Sequence, residues 1–182
     1  MTQINIFYVD TCPKTAAKCL VDRHVVKMIL ETAQLLSTAH RMLDGRMVAG
    51  KTKTGRNAKR FVLDDARDPI VYQATHMNHP SAVWTRKSVE NYLWLVEHFY
   101  ALNDEYSHRY GGKVHKCFDL AYCLQSPPQN LREYDMTQMP CAMDKQYIIS
   151  DDPVTNYRNY YRIGKARMHS WTNRQPPEWI NA

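Results

Sequence analysis

The feature that most restricts the fold of this chain is the stretch Asp22 to Arg41, DRHVVKMILETAQLLSTAHR. On a helix turning about 100° per residue, its polar members His24, Lys27, Glu31, Gln34 and Thr38 fall within an arc of about 80°, with Arg23 and Arg41 at the edge. Val25, Val26, Met28, Ile29, Leu30, Ala33, Leu35, Leu36 and Ala39 fill the rest of the circumference. A helix that is apolar over about two thirds of its girth is embedded on most sides, so the polar stripe is expected to open into a cleft. A carboxylate there, with a lysine at i−4 and a histidine at i−7, is placed for acid/base or electrostatic work, because neighbouring cations and burial both move its pKa. The same spacing also suits an ordinary i, i+4 ion pair on a narrow solvated face.

The rest of the chain predicts a mainly α fold: a compact helical domain with a short N-terminal strand or arm and a long central helix. Residues Ile4 to Val9, INIFYV, read as the strand or arm, stopped by Asp10, Thr11 and Pro13. Helical patterning runs from Lys14 to about Arg41, broken near Val21, with Asp22 as cap of the second piece and Gly45 as its end. The segment Gly50 to Arg60, GKTKTGRNAKR, holds five cations, two glycines and no acid. It reads as a basic loop or hairpin. Lys51, Lys53, Arg56, Lys59 and Arg60 are candidate contacts to a nucleic-acid backbone, or a solvated surface.

A second helical region follows Asp68-Pro69. Asn78-His79-Pro80 then opens a helix expected to run about thirty residues, or about 45 Å, to Gly111-Gly112. Lys116 to Leu124 reads as a short helix, and the chain through Met143 as irregular. Asp152-Pro153 opens a last helix, Val154 to about Trp171, rich in tyrosine and arginine, before an extended tail. Packing of its aromatic residues against the long helix competes with base stacking as their role.

With 182 residues, 44% of them hydrophobic, the chain can bury a core as one domain over residues 1–182. Long apolar runs and a basic leader are missing, so no membrane partner and a cytoplasmic location are expected. Five cysteines without a C-x-x-C pair point to reduced thiols. The formal charge of +6 favours a polyanionic partner, DNA or a nucleotide. His76 and His79 have H-x-x-H spacing, but no third ligand follows from it. Neither a metal nor a cofactor is expected, and His79 suits helix capping. Trp84, Tyr92 and Trp94 are core candidates, one of which could line a base pocket.

Two blocks carry a resemblance. Ala17 to Leu36, AKCLVDRHVVKMILETAQLL, is similar to the opening of the pyrimidine-dimer DNA glycosylase family, also called phage endonuclease V, with Asp22, His24, Lys27 and Glu31 on its pattern. Asn78-His79-Pro80-Ser81-Ala82-Val83-Trp84 resembles the start of that family's second helix, and MTQIN resembles its N-terminus. The resemblance covers residues 1–112, with an insertion at residues 46–67, and leaves 113–182 as a helical extension without a role.

The resemblance implies a compact, mainly α-helical enzyme, phage-type and in the host cytoplasm, that cleaves a base-sugar bond in DNA and cuts the strand through an imine. The nucleophile would be the α-amine of Thr2 after loss of Met1. Glu31 would be the acid/base that stabilises positive charge on the sugar. His24, Lys27, Arg23, Gln34, Asn78, His79, Trp84 and Arg86 would bind substrate or phosphate. Leu30 stands where the family has a basic residue, so phosphate contact would move to Arg23, Arg86 or the basic loop. Two other readings remain open: a non-catalytic binder of a nucleotide or modified base in the same pocket, and an enzyme acting on free nucleotides.

Overall fold

The structure, a computed structural model, describes residues 4–51 and 54–181. Its helices are α1 (Pro13–Cys19), α2 (Asp22–Asp44), α3 (Pro80–Thr85), α4 (Val89–Arg109), α5 (Ala121–Leu124) and α6 (Pro153–Gly164). Strands β1 (Arg46–Lys51) and β2 (Asn57–Val62) form an antiparallel hairpin. Short 3-10 turns occupy Lys116–Leu120, Lys145–Tyr147, Ala166–Met168 and Glu178–Ile180. No helix among the described residues is long and apolar enough to cross a membrane, and all five cysteines are free thiols.

Helices α1 and α2 both pack on α4. The core between them takes Val25, Met28, Ile29 and Leu36 from α2 and Tyr92, Leu95, Phe99 and Leu102 from α4. Ile4 and Ile6 join it from the N-terminal arm, and Tyr157 and Tyr161 from α6, so residues far beyond α4 belong to the same core. Each such side chain contributes on the order of 1.5–3 kcal/mol by leaving water.

The solvent strip of α2 is not its polar stripe. Arg23, Val26 and Leu30 are exposed and Lys27 and Gln34 partly so, whereas His24, Glu31 and Thr38 are buried. The exposed strip is thus rotated by about a quarter turn from the polar one. The N-terminal arm meets Glu31, the arm and α6 meet His24, and Thr75 meets Thr38.

Several expected elements form differently. Residues 4–10 make an extended arm that pairs with no strand: Asn5 Oδ1 takes the N–H groups of Ile6 and Phe7, and Phe7 turns with φ of 56°. Asp22 is the first residue of α2 rather than its cap. Its carboxylate accepts from Arg109, Ser170 and Thr172, tying the tail to the helix start. Residues 63–78 are turns rather than a helix. Asp65 and Asp68 bind the N–H groups of Arg67 and Leu63, and buried Arg41 donates to the carbonyls of Phe61, Asp68, Val71 and Tyr72 while pairing with the Asp68 carboxylate.

The long helix expected from Pro80 to Gly111 is two helices. Ser88 breaks it by capping α4, its Oγ accepting from the Asn91 N–H at 3.2 Å, which leaves α4 with 21 residues, about 31 Å. The last helix stops at Gly164, where Tyr160 and Tyr147 leave no room for a Cβ, and the tail holds a 3-10 turn rather than running extended throughout.

Candidate active site

Glu31 lies in the middle of α2, and Lys27, one turn earlier, places Nζ 2.8 Å from its Oε1. The other oxygen, Oε2, accepts the backbone N–H of Asn5 at 3.0 Å. Glu31 is 6% exposed, so both oxygens are held in fixed directions at the edge of the core. The arm reaches this point because Asn5 is buried with its backbone N–H and both side-chain polar atoms bonded. Its side-chain oxygen closes the turn at Ile6 and Phe7, and its Nδ2 donates to the carbonyl of Ala142 at 2.8 Å.

Ala142 belongs to a strap, residues 133–142, that runs back across the molecule. Its start is bonded to the first turn of α4: Thr137 exchanges hydrogen bonds with the Asn91 amide, and its carbonyl accepts from Trp84 Nε1. Its end is held by Tyr157, whose hydroxyl donates to the Pro140 carbonyl and accepts from the Ala142 N–H. Between α3 and the strap lies an open groove of about 360 Å³, lined by Asn78, Pro80, Val83, Lys87, Gln138 and Pro140 among others. Asn5, Glu31 and Ala142 are not among its lining residues.

His24 is 3% exposed and stacks on Phe7 with ring centroids 4.2 Å apart. Its Nδ1 lies 2.7 Å from the Tyr161 hydroxyl. Burial, reinforced by Lys165 and Lys27, pushes its pKa down to about 3. The ring is neutral at pH 7 and brings no positive charge toward a phosphate. The positive charge near it comes from Lys165, whose ammonium sits 4.7 Å over Tyr160 and 5.7 Å over Phe7.

A model of the pyrimidine dimer DNA glycosylase family matches residues 1–118. The chain belongs to that family. No curated protein and no solved structure matches it. A glycosylase-type function on DNA follows at the level of the pyrimidine dimer DNA glycosylases as a group. The match takes in the arm, α1 to α4 and the hairpin, whereas the strap, α6 and their contacts to Asn5 and His24 lie beyond it.

The structure gathers the remaining sequence candidates of this glycosylase-family chain unevenly. Asn78 and Trp84 line the groove, although Trp84 is almost wholly buried and edge-on to Trp94. His79 caps α3 by accepting from the Ser81 N–H, while its buried Nε2 has no partner. Burial, then His76, lowers its pKa. Arg86 Nη1 is likewise buried without a partner, and burial lowers the pKa of that guanidinium. Arg23 is exposed beside Lys27 on the solvent strip, and Gln34 is half-buried.

Lys51, Arg56, Lys59 and Arg60 sit on the hairpin beyond the far end of α2, thirteen residues from Glu31, or about 20 Å of helix. The hairpin is therefore not a wall of the Glu31 site. Thr2 and Lys53 lie outside the described residues. Asn5, Ala142, Tyr161 and Lys165 were not singled out as site residues by sequence reasoning. Of these, only Asn5 carried a signal, as a turn-forming residue inside an otherwise β-branched and aromatic run.

Proposed function

We propose that the protein is a DNA N-glycosylase, with a following lyase step, that acts on a damaged or modified pyrimidine through Glu31. The observation that carries this reading is the hydrogen bond from the Asn5 N–H to Glu31 Oε2, which fastens the N-terminal arm to the carboxylate. Three residues separate the nitrogens of Asn5 and Thr2, so a fully extended backbone spans at most about 11 Å between them. An α-amine on Thr2 is thereby tethered within reach of the space beside Glu31.

The target base leaves the duplex stack to present its sugar. Glu31 stabilises the positive charge that grows on C1′ as the base departs with the bonding pair and gains a proton. The α-amine, with an ordinary pKa near 8, is partly unprotonated at neutral pH and forms the new C1′–N bond. Loss of the amine proton and ring opening give an imine. Removal of a C2′ proton by a base then expels the 3′-phosphate and cuts the strand.

Lys27 holds one oxygen of Glu31 and leaves the other for the arm. Its partly exposed ammonium, with Arg23 beside it, offers positive charge to the flanking phosphates in place of the buried, neutral His24. Borohydride trapping on DNA carrying pyrimidine photoproducts tests the scheme: a covalent adduct that contains the N-terminal peptide is expected. Base release without any trapped adduct would leave a glycosylase but remove the imine step.

A further inference from the structure

From Arg46 to Arg60 the chain carries six cations, Arg46, Lys51, Lys53, Arg56, Lys59 and Arg60, and no acid. The described part of this run is built as a ribbon rather than a loop. Cross-strand pairs run from Arg46 opposite Val62 to Lys51 opposite Asn57, giving a body of six pairs, about 20 Å long. Its root is rigid. The buried guanidinium of Arg41 donates to the Phe61 carbonyl, and a Cβ on Gly45 would come within 3.3 Å of Phe61 Cβ. Beyond that root the ribbon is mostly solvent-facing, with Met47 58% exposed.

The middle of the ribbon is thin. Ala49, Gly50 and Ala58 provide no long side chain, and the Arg60 stem lies across Gly50, with its guanidinium on the Lys51 carbonyl at 2.8 Å. One face carries the cross-strand pairs Met47 with Phe61, Ala49 with Lys59, and Lys51 with Asn57. Small side chains flanked by cations, on two strands about 4.8 Å apart, match a slot about 12 Å wide with anionic walls.

We propose that this hairpin enters the major groove of duplex DNA, with Lys51, Lys59 and Arg60 on the phosphates at its rims, and supplies grip on the duplex at a distance from Glu31. B-form DNA is the occupant that fits, because the A-form major groove is too narrow and deep to admit a ribbon. The inference rests on the reading that the protein acts on DNA. It does not require the imine chemistry.

Binding of the full-length protein to an undamaged duplex tests it by methylation interference. Guanine N7 methylation, in the major groove, is expected to weaken binding wherever it falls, because phosphate contacts fix no register, and adenine N3 methylation, in the minor groove, is not. The exposed-position variant Ala49→Glu with Lys59→Glu should lose the N7 effect and weaken duplex binding at least tenfold at about 0.1 M salt, while retaining the wild-type unfolding midpoint. Lys59→Ala alone should reduce the salt slope by about one. Interference confined to the minor groove, an N7 effect unchanged in the double variant, or equal competition by an RNA duplex would each overturn the proposal. Since no turnover is measured, failure of base release leaves this result readable on its own.

Discussion

The Asn5 N–H and the Glu31 carboxylate meet at 3.0 Å although 26 residues separate them, which sets the N-terminal arm against Glu31. Glutamine at position 31 retains an acceptor for that N–H and loses the charge. Glu31→Gln is expected to lower base release at least about 100-fold, in the range of lost acid/base assistance. Lys27 reaches solvent and the Asn5 N–H keeps an acceptor, so the unfolding midpoint should scarcely move. Single-turnover base release on irradiated DNA measures the effect; retained activity with an intact fold would remove Glu31 from the chemistry.

Arg41 is the largest fully buried side chain, and its guanidinium is shared among four backbone carbonyls and Asp68. Arg41→Met leaves those carbonyls without donors and is expected to cost about 3–5 kcal/mol in urea unfolding. Arg41→Lys should recover little of this, because one ammonium cannot match a planar fork. A loss under 1 kcal/mol for both variants would mean that the 61–72 segment holds its path without the arginine.

His24, His40 and His98 are buried neutral, their pKa values pushed down, by burial first in each case, to about 3, about 4 and about 4. In the unfolded chain these rings titrate near pH 6.5. Below that pH the unfolded state binds more protons than the native one, so stability is full above pH 6.5 and falls as pH drops toward 4. Between pH 6.5 and 5 each ring accounts for at most about 2 kcal/mol. Urea unfolding at pH 7.5, 6 and 5 should show the decline, with a shallower slope in His98→Leu. A flat profile down to pH 5 would contradict the buried, neutral assignment.

The shared core of the arm, α2, α4 and α6 predicts one unfolding transition, coincident by far-ultraviolet circular dichroism and tryptophan fluorescence. A chain ending at residue 118 should fail to fold. It would lose Tyr157 and Tyr161 from the core, along with the Ala142 carbonyl that holds Asn5. A folded, cooperatively melting fragment would show instead that the extension is dispensable.

Some of this was legible in the chain. The Lys27 and Glu31 pair follows from i, i+4 spacing, whereas the charges and glycines of residues 50–60 suit a loop as well as a hairpin, and the strands begin before that run and end after it. Ser88 is a cap residue by type, but apolar residues at helical spacing on both sides of it, Val83 and Trp84 before and Leu93 and Trp94 after, hide the break. The depth of His24 could not be read locally, because what covers it is a cluster of Phe7 and Tyr161, the latter 137 residues further on. The same holds for the polar stripe of α2: periodicity places the residues on one arc but does not say which arc faces water. The 63–78 segment misled for a related reason, since its turns, closed by Asp65 and Asp68, are held by Arg41 from outside the segment.

Arg41 binds mainly main-chain oxygens in that segment, atoms that every amino acid supplies. It therefore holds the route of the chain and is largely indifferent to the side chains along it. Segments of different sequence can be tolerated between Arg46 and Val62 so long as they return at Phe61, which makes the hairpin an exchangeable cassette: a place where relatives can differ in length and where a different ribbon can be grafted without rebuilding the core.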